Sequence, residues 1–397
     1  MPATLATVDA LLKEVYGPRI EDQLQSEVVL PRRIERTSEG VTSNVGGKYV
    51  DFPVKVTRNH GIGYRAEGGQ LPNSGNQGYA EVHVPLRYGY GRVRYTGQLM
   101  ELAKTNVQAF TNAMESENEG LKNDIAKDSS RIIYGDGTGL IATLADTATS
   151  ATHVVDNAQW IQRGMIVDVL VKSTGSPTGG LQNATVTAVV YSTNTVTFSA
   201  SFTAATTQGV YRAGSYGLEP SGMANIVKDS GVLHTLDPAV VPEWKSTVNA
   251  NGGVARPLSE GLMIAVCDAI RREGGKTSLI MTSLGVRRSY FNLLVQQRRY
   301  SNTKEFAGGF TGLAFNYGTE VPVVEDVDHP PGKMHFLQEN KFRIYRSRPW
   351  HWMDDDGTIV KWVTDFDSWE ALLRQYSELG TQERNAHGRM DDIIEAT

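Results

Sequence analysis

The sequence predicts an α+β chain with a small β-rich domain inserted into it. Three observations carry this reading: a long hairpin at 48–99, one long helix at about 106–134, and a nearly uncharged stretch rich in Thr, Ser, Val and Ala at 141–215. A chain of 397 residues is long enough for two or three domains and a sizeable core. The net charge of −5 argues against a polycation that binds nucleic acid with its whole surface. Cys267 is the only cysteine, so no internal disulfide can form, which fits a reducing compartment. Met1–Tyr16 carries Asp9 and Lys13 where a signal peptide needs an apolar core. No run approaches the ~20 apolar residues that cross a bilayer as a helix.

Residues 1–47 read as an arm. Thr7 can cap a short helix with Leu11, Leu12 and Val15, and Gly17-Pro18 breaks it. Arg32, Arg33, Glu35 and Arg36 follow, then a Ser/Thr/Gly stretch to Gly47. Little here makes a core alone, so the arm is expected to lie on another surface. In Tyr49–Val56 the apolar residues Val50, Phe52, Val54 and Val56 alternate with Asp51, Pro53 and Lys55. In Ala80–Tyr90, Val82, Val84, Leu86, Tyr88 and Tyr90 alternate with Glu81, His83, Pro85 and Arg87. Such period-two runs are half-buried strands, and their prolines suit strands with a free edge. The apolar phase moves to odd positions at Val93 and Tyr95, so a bulge or bend is expected at Gly89–Gly91.

The intervening Thr57–Tyr79 contains six glycines and is far longer than a hairpin loop. Ordering it costs roughly 1–2 kcal/mol per residue, about 20–45 kcal/mol in all. At ~25 cal/mol per Å², apolar burial alone would need about 1,000–2,000 Å² to offset that. This is the scale of a stable protein–protein interface. The feature points to assembly before it points to chemistry.

The helix at about Asn106–Tyr134 carries Val107, Phe110, Met114, Leu121, Ile125 and Ile132 on one stripe and spans about 43 Å. Gly135-Asp136-Gly137 stops it. In 141–215, Gly164–Val171 and Ala184–Phe198 read as strands, with a turn at Ser192–Thr195, enough for a small barrel or sandwich. From Gly217 the chain is mixed. Ser259 caps a helix through Leu262, Val266 and Ile270, and Thr277–Met281 is a strand. Ser283 caps a second helix with Val286, Tyr290, Phe291 and Leu294 inward. Strands follow at Val321–Val324 and, as an expected pair, Lys333–Leu337 and Phe342–Arg346. Trp369, Leu372, Leu373 and Tyr376 fit strand and helix equally poorly.

No catalytic motif survives inspection. Gly275-Lys276-Thr277 ends like a phosphate loop, but Ile270 stands where its first glycine belongs, and the helix precedes rather than follows. Gly61-Ile62-Gly63 lacks the third glycine of a dinucleotide loop. Asp326, Asp328 and His329 read as a polar turn rather than a metal site, and Asp354-Asp355-Asp356-Gly357 as a hairpin turn rather than a calcium loop. Arg287, Arg288, Arg298 and Arg299 suit a helix end, and Glu115, Glu117 and Glu119 a solvated face.

The order of arm, hairpin, long helix, inserted β domain and mixed body resembles the major capsid proteins of tailed bacteriophages, with their HK97-like fold. The most specific residues are Gly308–Gly312, then Gly318-Thr-Glu-Val321-Pro-Val-Val-Glu-Asp326, then Pro331-Gly-Lys-Met334. Glu67-Gly-Gly-Gln-Leu-Pro72 falls where that family's E-loop tip lies. The resemblance implies an N-arm (1–47), an E-loop and its roots (48–99), a peripheral domain with its spine helix (100–140), the inserted β domain (141–215), an axial domain (216–365) and a return to the peripheral domain (366–397). It implies a shell protein of the virion capsid, assembled in the host bacterial cytoplasm, with neither enzymatic activity nor a cofactor or catalytic metal. Implied partners are further copies in pentamers and hexamers, separate scaffold, portal and decoration proteins, and packaged double-stranded DNA held without sequence specificity; no membrane is involved. The chain lacks the long N-terminal extension of some relatives, hence the expectation of a separate scaffold. Arg58, Arg65 and Glu67 on the tip, and Arg32, Arg33 and Arg36 on the arm, are the expected intersubunit contacts. No lysine lies between Lys55 and Lys104, so the tip cannot supply the covalent cross-link of some relatives. The alternatives are an encapsulin-like nanocompartment shell, a β-rich binding protein, and an enzyme without a recognisable motif.

Overall fold

The computed structural model describes residues 33–37, 49–98, 107–296, 303–305, 311–318, 320–355 and 357–396. The helix expected after Thr7, Arg32, Arg298, Arg299 and most of Gly308–Gly312 lie outside them. The first ten strands are β1 (Glu35–Thr37), β2 (Tyr49–Thr57), β3 (Gly78–Pro85), β4 (Arg87–Thr96), β5 (Leu140–Thr143), β6 (Thr149–Val154), β7 (Ile166–Val171), β8 (Ala184–Val190), β9 (Thr195–Thr203) and β10 (Gln208–Arg212). The rest are β11 (Thr247–Asn249), β12 (Leu279–Thr282), β13 (Thr303–Glu305), β14 (Thr311–Asn316), β15 (Glu320–Glu325), β16 (Met334–Leu337), β17 (Phe342–Arg346), β18 (His351–Trp352), β19 (Val360–Trp362), β20 (Ser368–Thr381) and β21 (Gly388–Met390). The long helices are α1 (Val107–Tyr134), α2 (Glu260–Arg272) and α3 (Leu284–Gln296). The α+β class expected from the sequence is what the chain adopts.

Two compact units share the chain. Of the described residues, one takes Arg33–Ile34 and those within Arg87–Met223 and Arg346–Glu378; the other takes those within Glu35–Leu86, Ala224–Tyr345 and Leu379–Ala396.

In the first unit β20 pairs antiparallel with β4 along ten residues, and with β18 and β19. The ambiguous last segment is therefore a strand. Val93 and Tyr95 of β4 pack inward with Leu373, Ala371 and Ile125 of α1. A Cβ on Gly91 would sit 2.8 Å from Ile125 Cδ1, and one on Gly89 2.9 Å from Trp350 Cη2. These glycines mark close approach, not the expected bend. The phase change falls earlier, at Leu86, where β3 ends and β4 begins. Tyr88 and Tyr90 consequently face solvent rather than continuing the apolar face, and both rings lie against Tyr376.

Leu121 and Ile125 of the expected α1 stripe pack beneath β4. Val107, Phe110, Met114, Glu115 and Glu117 lie where only the backbone is described. Later in α1 the polar face is not uniformly solvated: Asn118, Lys122 and Arg131 are buried, while Glu119 is exposed. Arg131 bonds Asp128 at 2.9 Å and Glu219 at 2.6 Å, and Arg212 joins Asp128 at 3.1 Å. A last-turn cation also suits the helix dipole. At the same helix end, a Cβ on Gly222 would meet the carbonyl oxygens of Ile132, Gly135 and Ile133 at 2.4, 2.5 and 2.6 Å. Gly222→Ala is expected to cost about 3 kcal/mol through overpacking. A thermal melt indistinguishable from wild type would contradict that contact.

The inserted segment forms one antiparallel sheet in the order β5-β10-β7-β8-β9-β6, and a bridge between Leu144 and Val155 brings its two edges together. Val167, Val169, Val186, Val196, Phe198 and Val210 fill it. The turn sits at Tyr191–Thr193, with Asn194 at φ 49°, a conformation asparagine tolerates.

The second unit centres on a seven-stranded sheet ordered β11-β21-β16-β12-β15-β14-β13. The central β12 and β16 are buried at every position, so their sequences are continuous apolar runs rather than alternating ones. The α2 helix starts at Ser259, whose side chain accepts the Leu262 N–H, and buries Met263, Val266, Cys267 and Ile270. Ser283 accepts the Val286 N–H at the start of α3. Val286 and Tyr290 face the sheet as expected; Phe291 does not, and is 46% exposed. The expected pairing of Lys333–Leu337 with Phe342–Arg346 does not occur. A short 3-10 turn at Glu339–Lys341 carries the chain out of the sheet, and β17 pairs in parallel with β1 instead. The polar turn at Asp326 is held by the Asp328 N–H to Asp326 Oδ1 at 3.0 Å. Arg287 pairs with Glu325 at 2.6 Å, and Arg288 Nε donates to the Ala396 carbonyl at 3.0 Å.

Candidate functional site

The hairpin belongs to the second unit and is a sheet of two strands only. Pairing runs from Tyr49 opposite Pro85 to Lys55 opposite Tyr79, with a register shift before Thr57. Val50, Val82 and Val84 are buried, while Phe52, Val54 and Val56 farther along are half-buried. Phe52 stacks on Tyr345 with ring centroids 6.2 Å apart. The root is therefore packed, and packing thins toward the tip.

The tip carries large apolar side chains into solvent: Ile62 is 86%, Leu71 80% and Tyr64 fully exposed. Three large apolar side chains close in sequence on one uncovered loop are more concentrated than the single exposed apolar residues normal on a monomer's surface. Local hydrogen bonds shape the loop. Gly69 N–H donates to the Ala66 carbonyl at 2.9 Å across a turn with Gly68 at φ 73°. Arg65 folds back, donating from Nε to the Gln70 carbonyl at 2.9 Å and from Nη1 to Tyr64 at 3.1 Å. The structure thus places Arg58, Arg65 and Glu67 together on one exposed loop. Arg33 is half-buried, Arg36 sits in β1 opposite Ile344 with only its backbone described, and Arg32 is outside the described residues.

On the outer face of the strands His83 faces Asp51. Its Nδ1 lies 2.6 Å from Asp51 Oδ1, and its Nε2 4.0 Å from Glu81. The hydrogen bond to Asp51 raises the His83 pKa, and the charges of Asp51 and Glu81 push it the same way. The alternation already puts Asp51, Glu81 and His83 on one face, so this cluster was within reach of the sequence.

What the sequence hides is the support for the β3 edge. Leu233 and Leu236 exchange backbone hydrogen bonds at 3.0 and 3.1 Å around a tight turn. The turn residues His234 (φ 49°) and Thr235 (φ 71°) both adopt the left-handed region that such turns usually fill with Asn and Gly. The His234 carbonyl accepts the His83 N–H at 3.3 Å. The His234 ring is buried, and burial with nearby Arg384 holds its pKa down to about 4.

Residues 171–358 match the family model described as SU10 major capsid protein. The subunit of the cyanophage A-1(L) capsid is 14% identical, with a TM-score of 0.56 over 92% of this chain and 93% of that one. The fold is that of a phage head-shell protein. The capsid of a native GTA particle (10% identity, 93% of this chain and 94% of that one, TM-score 0.47) and the Mycobacterium phage Bobi chain (10%, 99% of each, 0.46) are further matches. No curated protein matches the chain. The resemblance read from the sequence is borne out, and family match and fold together support a head-shell protein.

Proposed function

We propose that copies of this chain close into pentamers and hexamers of an icosahedral head shell around double-stranded DNA, without covalent cross-links. The observation that carries this is the hairpin tip, whose exposed Ile62, Tyr64 and Leu71 end a two-stranded sheet that has no third strand among the described residues. A second copy covering the tip would remove that apolar surface from water and add to the free edge. Arg58, Arg65 and Glu67 are the charged contacts of that surface, with Arg32, Arg33 and Arg36 serving the arm. Assembly takes place in the host cytoplasm with separate scaffold and portal proteins.

The nanocompartment alternative shares the fold; the family description matched at 171–358 favours the phage head. Expression of the chain, with its scaffold where one is needed, should give closed shells by electron microscopy. Denatured shells should run as single subunits, since no lysine lies between Lys55 and Lys104. Ladders of linked subunits would refute the non-covalent shell, and protein cargo in place of DNA would favour the nanocompartment.

A further inference from the structure

The outer face of the hairpin carries a set of metal-ligating side chains, and the ladder brings them together. Asp51 stands opposite His83, and Glu81 precedes His83 by two residues, so all three share a face. Val82 and Val84 are fully buried on the other face, which fixes the outward direction of Glu81 and His83. Pro53 has no N–H, so its pairing with Glu81 is of the non-hydrogen-bonded kind, and so is that of Asp51 with His83 two residues along. Side chains approach most closely at such pairs. The His83 N–H donates instead to the His234 carbonyl at 3.3 Å, which ties β3 down at this point.

One ligating atom from each of the three lies within 4.8 Å of the others. The two ring nitrogens of His83 have different surroundings. Nδ1 is 2.6 Å from Asp51 Oδ1, so it carries a hydrogen and donates it to the carboxylate. Nε2 faces Glu81 Oε2 across 4.0 Å, beyond hydrogen-bond range. In the neutral ring that leaves the Nε2 lone pair on the side of Glu81. A carboxylate on the far nitrogen of a metal-binding histidine fixes its tautomer and raises its basicity. Two ligands at about 2.0–2.2 Å from one tetrahedral ion stand about 3.4 Å apart, so the exposed Glu81 side chain need close only part of the present gap.

We propose that Glu81 and His83 bind a divalent transition-metal ion of the Zn²⁺ type, with Asp51 orienting His83 and water completing the coordination. Imidazole nitrogen suits such ions, whereas Mg²⁺ and Ca²⁺ take oxygen ligands. Exposed carboxylates alone carry no such preference; the oriented imidazole beside Glu81 marks the site. Through Asp51 the ion is coupled to β2, so it braces a sheet that has no third strand among the described residues. An ion held by the folded hairpin and not by the open chain stabilises the fold.

Zinc titration of the full-length chain by calorimetry tests this at about pH 8, where an ordinary imidazole is neutral. The parent chain should bind zinc saturably at this site. His83→Ala should lose that binding, and Glu81→Gln and Asp51→Asn should each weaken it about tenfold or more. His60→Ala, at an exposed histidine of the tip, should leave it unchanged. Glu81→Gln keeps the Asp51–His83 hydrogen bond, so a purely structural ion pair predicts no change in that variant. Cu²⁺ bound to the parent should show coupling to one imidazole nitrogen in electron paramagnetic resonance, absent in His83→Ala. Melting of each variant without metal checks that it folds. No saturable zinc binding by the parent chain, or binding unchanged by either Glu81→Gln or His83→Ala, would overturn the site and leave Asp51 and His83 a structural ion pair only.

Discussion

Acidification from pH 7 to pH 5 is expected to unfold the seven-stranded unit while the other unit persists. Four histidines of that unit are buried as neutral rings. His329 and His387 are held down to about 3 and His234 to about 4, each mainly by burial; His335 is also held well below its ordinary value. His329 Nε2 and His335 Nδ1 are 2.7 Å apart, with room for one proton between them, and His387 Nδ1 accepts the Gln338 N–H at 3.3 Å, so a second proton on these rings meets another ring nitrogen or a donor. The unfolded chain protonates these rings near 6.5; the folded chain protonates His234, His329 and His387 only at about 4 or below, and His335 likewise well below 6.5. Their neutral-state stability is full above pH 6.5 and is lost as pH falls toward the folded values. At pH 5 His329, His387 and His234 each cost about 2 kcal/mol, about 6 kcal/mol together, and His335 adds to the loss in the same direction. That is comparable with the 5–15 kcal/mol that ordinarily holds a domain folded.

Glu378 in the other unit works in the opposite sense. Burial raises its carboxyl to about 8 even though it accepts the Ser221 N–H at 2.6 Å. Its penalty is therefore present at neutral pH and relieved by acid. Hydrogen exchange should show protection lost across α2, α3, β12 and β15 near pH 5 while β7–β10 remain protected. Retention of α2 and α3 protection at pH 4 would refute the argument.

The sequence showed most clearly the elements whose one face is buried and other face wet. The β2 and β3 runs alternate because only one side packs, and α2 shows its stripe because it lies on a sheet. β20 was illegible for the converse reason: β4, β18 and β19 pair along it, and half-buried residues stand on both faces, so no period of two survives. Gly89 and Gly91 misled because a glycine that admits Trp350 or Ile125 looks the same in sequence as one that bends a strand. The tip was legible as uncovered chain, since glycines and isolated apolar residues pack against nothing locally. Its supports were not. The turn at His234–Thr235 has neither of the residues that announce such turns, and Arg384 reads as an ordinary surface charge between Glu383 and Asn385.

Replacing that arginine is expected to be the most damaging single change in the second unit. Arg384 is wholly buried. Its Nε donates to the Ile226 carbonyl at 3.0 Å, Nη1 to Gly231 and Trp244 at 3.0 and 3.3 Å, and Nη2 to Asn225 and Ser230 at 3.0 and 3.3 Å. Burial lowers its pKa to about 10, partly opposed by Asp229 and Asp237. Five carbonyls of the 225–244 loop thus converge on one planar fork, which alone has the donors to satisfy them. Arg384→Met strands them at about 1–3 kcal/mol each, less what entering water recovers, so a loss of about 5 kcal/mol is expected. Arg384→Lys should fare little better, because a point ammonium cannot span five acceptors. Melting of the lysine variant within a few degrees of wild type would show that charge rather than the fork matters. The same loop carries the turn whose His234 carbonyl holds the His83 N–H of β3. In any variant stable enough to measure, the His83 amide should therefore exchange faster, and the hairpin should lose the anchor that holds its β3 edge.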